Sequence, residues 1–162
     1  MNINSFINTK KFIKSLKNFS KKKPFPYIVI DNFLKKNVAL KIKQNFQNLE
    51  DKKLWSYNNF CEVKKATDNW NLFSAETYQL LLNLNSDNFL SKVKKTLKMK
   101  SLYPDYGLNG GGLHFMKDKG ILNPHLDYVI HPKINLVRKF NLIIFFSTNW
   151  KKKNGGELCF YE

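Results

Sequence analysis

Apolar residues recur at roughly helical spacing at the start of the chain. Phe6, Ile7, Phe12, Ile13 and Leu16 alternate with Lys10, Lys11, Lys14 and Lys17. This spacing predicts an amphipathic helix within a basic leader, residues 1–23. Packing on the body of the domain is the favoured use of its apolar face, ahead of a membrane surface or a nucleic acid. The run Lys21-Lys22-Lys23 reads as solvated. Pro24-Phe25-Pro26 stops the helix. Tyr27-Ile28-Val29-Ile30 is β-branched and aromatic and predicts a strand. Asp31 or Asn32 can cap the next helix, Leu34 to Leu49, which carries the stripe Val38, Ile42, Phe46 and Leu49. Asp51 to Asn71 is polar, with Trp55, Tyr57, Phe60 and Trp70 as anchors, and reads as irregular or short strand. Ser74 opens a helix to about Leu84, and Ser86 or Asp87 opens another to about Lys98.

From Tyr103 the pattern changes. Pro104, Asp105, Gly107, Asn109, Gly110, Gly111 and Gly112 form a turn-rich loop. Strand-like runs follow at Leu113 to Met116, Ile121 to Tyr128, Arg138 to Ser147 and Glu157 to Tyr161. Helices first and strands last is an α+β order, in which the N-terminal helices back a β-sandwich or barrel. With no internal repeat and no linker, residues 24–162 read as one domain behind the leader.

Composition adds bounds. At 162 residues, with fourteen Phe, the chain can bury a core and offset the entropy of folding. Two Cys, at 61 and 159, exclude a disulfide scaffold or a four-thiolate metal site. Three His leave room only for a small or carboxylate-rich metal site. The net charge of +16 suggests an anionic partner, but 27 of the 28 basic residues are Lys and Arg138 is the only Arg. Readers of phosphates and bases use the bidentate Arg fork heavily. Together with 21 Asn, the Lys excess reads as the coding bias of an AT-rich genome, and nucleic acid is disfavoured. No run approaches the roughly 18 apolar residues that span a bilayer. The N-terminus has no apolar h-region or small-residue cleavage site, so the expected compartment is cytoplasmic.

The candidate chemistry centres on Pro124-His125-Leu126-Asp127. In a strand, His125 and Asp127 would share one face and Leu126 the other. An imidazole and a carboxylate so placed supply two legs of a 2-His-1-carboxylate facial triad, which holds Fe(II) and leaves coordination positions open. A bare H-x-D also arises by chance, as a surface His beside a solvated Asp. Its context is a nearly continuous apolar run from Phe140 to Phe146, then Trp150, a Lys-rich tip and Gly155-Gly156-Glu157-Leu158. Glycine pairs permit the positive φ that tight hairpins need.

These segments, GGGLHFM, NPHLDY, RKFNLIIFFSTNW and NGGELCFYE, together resemble the 2-oxoglutarate and Fe(II)-dependent dioxygenases, in their prolyl-4-hydroxylase-like branch. That family shows a Gly-rich lead-in, H-x-D, an R-x-x-N-x-x-x-Y-L-N strand, a Trp and G-G-x-L. The opening KPFPYIVIDNFL is similar to its strand-and-helix start. The likeness is specific from Gly110 to Tyr161 and loose between Lys35 and Leu108.

The resemblance implies a double-stranded β-helix (jelly roll) with helices packed on it. It makes His125 and Asp127 catalytic residues and iron ligands, with Asp127 standing where halogenating relatives have a small residue. It implies Fe(II) and 2-oxoglutarate as cofactors, optionally ascorbate, with dioxygen and a hydroxylation substrate as partners and a homodimer as a known form of relatives. Phe145 occupies the position of a Tyr that bonds 2-oxoglutarate; it can wall the pocket without that bond. Leu158 would line the pocket, and Asn141 either contacts the co-substrate or is a satisfied buried amide. Arg138 reads as a salt-bridge or loop-ordering residue. His114 reads as a core histidine or one supporting a ligand, His131 as an exposed loop residue, and Cys159 as a small strand residue. The family's third ligand, a distal His, and an Arg or Lys that grips 2-oxoglutarate follow G-G-x-L by several tens of residues. The chain ends at Glu162, so the expectation is a C-terminally truncated barrel. The alternatives are an inactive or partner-completed fragment, or a basic module for nucleic acid or an anionic surface.

Overall fold

The computed structural model describes residues 3–49 and 53–161. Four helices and a small four-stranded antiparallel sheet make the architecture α+β. The described residues divide into two compact units, 3–49 with 70–107, and 53–69 with 108–161.

The first unit is helical. Helix α1, Thr9–Leu16, buries Phe12 and Leu16 on the face that the sequence marks as apolar. Phe12 stacks on Phe89, ring centres 5.1 Å apart, and meets the edge of Phe33 at 5.7 Å. The leader is also stitched into this unit by its backbone: Asn8 N–H donates to the Phe33 carbonyl and Lys35 N–H to that of Phe6, each at 2.9 Å. Its apolar face is therefore used internally. Helix α2, Lys36–Gln47, buries Val38 and Ile42. Its N-cap is Lys35, correcting the expectation of Asp31 or Asn32. Asn32 instead turns the chain at φ 55, a left-handed conformation that Asn tolerates, and residues 33–35 bond to the leader before the helix can start. The strand expected at Tyr27–Ile30 does not form; Val29 is 79% exposed and no ladder runs through the segment.

Helices α3, Ala75–Leu84, and α4, Asp87–Thr96, begin where the sequence places them. Ser74 Oγ accepts from Thr77 N–H at 3.2 Å, and Ser86 Oγ from Phe89 N–H at 3.3 Å. Each bond satisfies an amide that the first helical turn leaves unpaired. Between α2 and α3, Glu76 accepts from Asn45 at 3.1 Å and pairs with Lys41 at 3.7 Å. No helix among the described residues is long and apolar enough to cross a membrane.

The second unit is built on strand β2, Glu62–Thr67. Strand β1, Trp55–Asn58, pairs along one edge, from Trp55 opposite Ala66 to Asn58 opposite Val63. Asn59 closes this hairpin, its side chain accepting from the N–H of Cys61 at 2.8 Å and of Glu62 at 3.0 Å. The other edge of β2 is covered in tandem. Strand β3, Leu113–Phe115, pairs with Lys65 to Thr67, and β4, Ile121–Leu122, with Glu62 and Val63. Residues 116–120 bulge out between them opposite Lys64. Gly112 opens β3 at φ 93 against the Thr67 backbone, a position that only glycine fits.

Downstream, the strand expected at Ile121 to Tyr128 is confined to Ile121–Leu122. Arg138 to Ser147 and Glu157 to Tyr161 form no strand. Apolar alternation marks a chain that can join a sheet, but a strand exists only as a ladder with a neighbour. Among the described residues no strand ladder runs through these segments.

Candidate functional site

The segment Asn123 to Asn141 gathers the polar side chains singled out by the sequence. Asn123 ties it to the β1–β2 turn: its N–H donates to the Cys61 carbonyl at 2.9 Å and its amide to that of Phe60 at 2.7 Å. Pro124 then turns the chain away. His125 Nδ1 lies 2.7 Å from the Asn123 carbonyl oxygen. A carbonyl can only accept, so Nδ1 carries the proton, and in the neutral ring the lone pair sits on Nε2. That nitrogen is 3.7 Å from Asp127 Oδ1. His125 and Asp127 are thus brought together, though by a local turn and not on one face of a strand.

The other carboxylate oxygen is already engaged. Asp127 Oδ2 accepts from Asn141 Nδ2 at 3.0 Å and faces Arg138 Nη2 at 3.4 Å. A hairpin makes this possible. Arg138 N–H donates to the Val129 carbonyl and His131 N–H to that of Leu136, both at 2.8 Å, while Asn135 turns at φ 53. The fold-back returns Arg138 to Asp127. Its guanidinium also lies 4.7 Å over the Tyr128 ring, a cation–π contact, and the Tyr128 hydroxyl donates to the Asn109 carbonyl at 2.8 Å. Asn141 finds its partner in Asp127. Arg138 fulfils its expected role of ion pairing and loop ordering.

Phe145 and Leu158 are 66% and 55% exposed, in segments without a ladder. Cys159 is exposed and does not lie on a strand. His131 is buried, 7% exposed, correcting the expectation of an exposed loop residue. Its Nδ1 accepts from the N–H groups of Lys133 and Ile134 at 3.2 and 3.3 Å, so the ring is drawn under its own turn and against the edge of Tyr128. His114 lies on β3, exposed rather than in a core, with Nε2 3.1 Å from the Gly111 carbonyl. Its ring is nevertheless crowded enough that desolvation holds its pKa below the ordinary histidine value. The Gly111 carbonyl opposes that shift, nearby Lys64 adds to it and Glu62 opposes it. Asn123 and Tyr128 are contributors that the sequence reading passed over; the Asn-Pro pair, a turn initiator, was the available signal for the first.

Among the described residues no group of three or more His, Cys, Asp or Glu is placed to hold a metal ion. His125 and Asp127 are the two candidate ligands that the chain brings near one another, at 3.7 Å, and both are exposed. A ligating histidine ordinarily anchors its other ring nitrogen on a carbonyl or carboxylate, as His125 does on Asn123. Two cis ligands at about 2.1 Å stand roughly 3.0 Å apart, so the 3.7 Å between Nε2 and Oδ1 is too wide for two legs of a facial triad without a local closure. Comparison with family models, with curated proteins and with solved structures gives no match.

Proposed function

We propose that the chain is an Fe(II)- and 2-oxoglutarate-dependent dioxygenase of the prolyl-4-hydroxylase-like branch, hydroxylating a prolyl or other protein residue or a small molecule in the cytoplasm. The jelly roll belongs to this proposal, as do a homodimeric form and ascorbate as an accessory. The observation that supports it is the division of labour at Asp127. One carboxylate oxygen is taken by Arg138 and Asn141, and the other lies 3.7 Å from Nε2 of His125. His125 and Asp127 lie at the surface, 46% and 47% exposed, and the reading rests on their being held together there.

In this reading His125 and Asp127 hold the iron. The resemblance assigns the third ligand to a His beyond G-G-x-L. The resemblance assigns Phe145 and Leu158 to the wall of a 2-oxoglutarate pocket, although both are exposed here. Iron with 2-oxoglutarate supplies the activation of dioxygen for oxidising a substrate C–H bond. The chain's own residues do the positioning: Asn123 fixes the tautomer of His125, and Arg138 and Asn141 orient Asp127.

The test is an anaerobic Fe(II) titration with 2-oxoglutarate, followed by the visible metal-to-ligand charge-transfer band. It is run on this chain and on one extended through the natural downstream reading frame. A band in the extended chain that Asp127→Ala abolishes is the expected result. Its absence from both chains would overturn the assignment.

A further inference from the structure

Residues 3–30 hold seven lysines and no Asp or Glu, and all seven lysines are exposed; the first acid is Asp31. Lys10, Lys14 and Lys17 follow one another at helical spacing and line one face of α1. The buried Phe12 and Leu16 line the opposite face. This arrangement works against the helix. Lys10 and Lys11 stand in its first turn, where the peptide dipole disfavours cations; no acid offsets them there and no side chain caps the open amides. Lys10 and Lys14 add a like-charge pair one turn apart. Helix α2 repeats the pattern, with Lys36 in its first turn, no acid and no side-chain cap. The Ile7–Leu34 bridge sets the starts of these two helices beside one another.

Helices α3 and α4 follow the opposite rule. Each has a serine cap and an acid in its first turn, Glu76 or Asp87, and α4 carries Lys94 and Lys95 in its last. A lysine-rich coding bias acts on all four helices alike and does not account for the difference. Apolar side chains accompany the basic face. Phe25 follows Lys21-Lys22-Lys23 and Pro24 and is 46% exposed, and Val29 is 79% exposed. The Lys11 ammonium donates to the Asp31 carbonyl, which ties this returning segment to α1.

We propose that this basic face docks the protein on an anionic lipid bilayer, with Phe25 and Val29 entering the headgroup region. Clusters of about four to eight basic residues are drawn to anionic leaflets, and stable attachment takes a second, apolar signal. Helix α1 does not insert, because its apolar face packs on Phe33 and Phe89; it lies with its charged face on the headgroups. Lysine suits this partner better than a polynucleotide. A bilayer presents a diffuse field, with no base edge for a planar fork to match. The inference is independent of iron and 2-oxoglutarate and stands or falls by itself.

The test is co-sedimentation of the full chain with vesicles of phosphatidylcholine, alone or mixed with phosphatidylserine. Capture should require phosphatidylserine. It should weaken steeply between about 0.1 M and about 1 M salt, as the screening length falls from about 10 Å to about 3 Å. Each lysine at such a surface contributes about fivefold in partition, so the triple variant Lys10→Gln, Lys14→Gln, Lys17→Gln should bind about 100-fold more weakly. Glutamine matches lysine in helix propensity, so urea unfolding should show this variant no less stable than the parent. The triple Lys151→Gln, Lys152→Gln, Lys153→Gln removes the same charge from an exposed turn of the second unit and should bind like the parent. Phe25→Ser with Val29→Ser should weaken capture about tenfold. Equal losses in the two lysine triples would reduce the effect to net charge and overturn the proposal. Equal capture by neutral vesicles would overturn it too. So would no capture by the anionic vesicles, whether or not a single-stranded oligonucleotide is retained through Lys10, Lys14 and Lys17.

Discussion

Gly112 offers the sharpest test of how the second unit is held together. A Cβ built on this residue would stand 2.2 Å from the Thr67 carbonyl oxygen and 2.9 Å from Asp68 Cα. Carbon and oxygen in weak contact keep about 3.3 Å apart. Alanine at 112 must therefore push the start of β3 about 1 Å away from β2. That displacement falls on the pairs Thr67–Leu113 and Ala66–His114. Losing about two ladder hydrogen bonds at 0.5–1.5 kcal/mol each, with about 1–2 kcal/mol for a left-handed φ, gives about 2–5 kcal/mol. Neighbouring glycines separate the two causes. Gly110 has φ 70 but only an ordinary 3.6 Å contact to Tyr128, so Gly110→Ala should cost about 1–2 kcal/mol. Gly111 lacks the positive φ, and its added Cβ would lie 3.3 Å from the Leu108 carbonyl, so Gly111→Ala should stay within about 1 kcal/mol. The assay is urea unfolding combined with amide hydrogen exchange resolved by peptide. Protection should fall across β2 and β3 in Gly112→Ala while α3 and α4 keep theirs. If Gly112→Ala costs no more than Gly110→Ala, the close approach to Thr67 is not what holds glycine there.

Phe12→Ala removes the ring that stacks on Phe89 and meets Phe33; the first unit should lose about 3–5 kcal/mol in chemical denaturation. Ser86→Ala deletes the bond to Phe89 N–H and should lower stability by about 0.5–2 kcal/mol, with exchange quickening first in α4. His114 titrates below its unfolded value, so the unfolded chain binds the extra proton first. Its contribution to stability is present above the unfolded pKa and is lost as pH falls through the lowered folded pKa. The urea midpoint of the parent should therefore drop more steeply on acidification than that of His114→Gln; parallel curves would contradict this.

The helical half of the fold was legible because its signals are local. Ser74 and Ser86 each sit three residues before the amide they cap, and the leader's apolar spacing marks the face that Phe12 and Leu16 bury. Strands were less legible because pairing is a property of two segments. Tyr27–Ile30 and Arg138–Ser147 have the residues of strands without a ladder, while the polar β1–β2 hairpin forms around an Asn59 turn. At the candidate site, residue types and spacing pointed to His125 and Asp127. They could not reveal that Asn141 turns toward Asp127, because the 128–138 hairpin sets that contact. His131 was misread for the same reason: its ring serves its own turn.

That hairpin has a consequence for the order in which the molecule assembles. Asp127 meets Asn141 across fourteen residues and His125 meets Asn123 across two. The pairing of β2 with β3, by contrast, joins Lys65 to Phe115. Closing a short loop costs little entropy and proceeds early, whereas distant strands must wait for a long chain to close. The polar cluster and the β1–β2 hairpin, which pairs Asn58 with Val63, are therefore the parts of the second unit that can form first, and the Asn123 anchor joins them later.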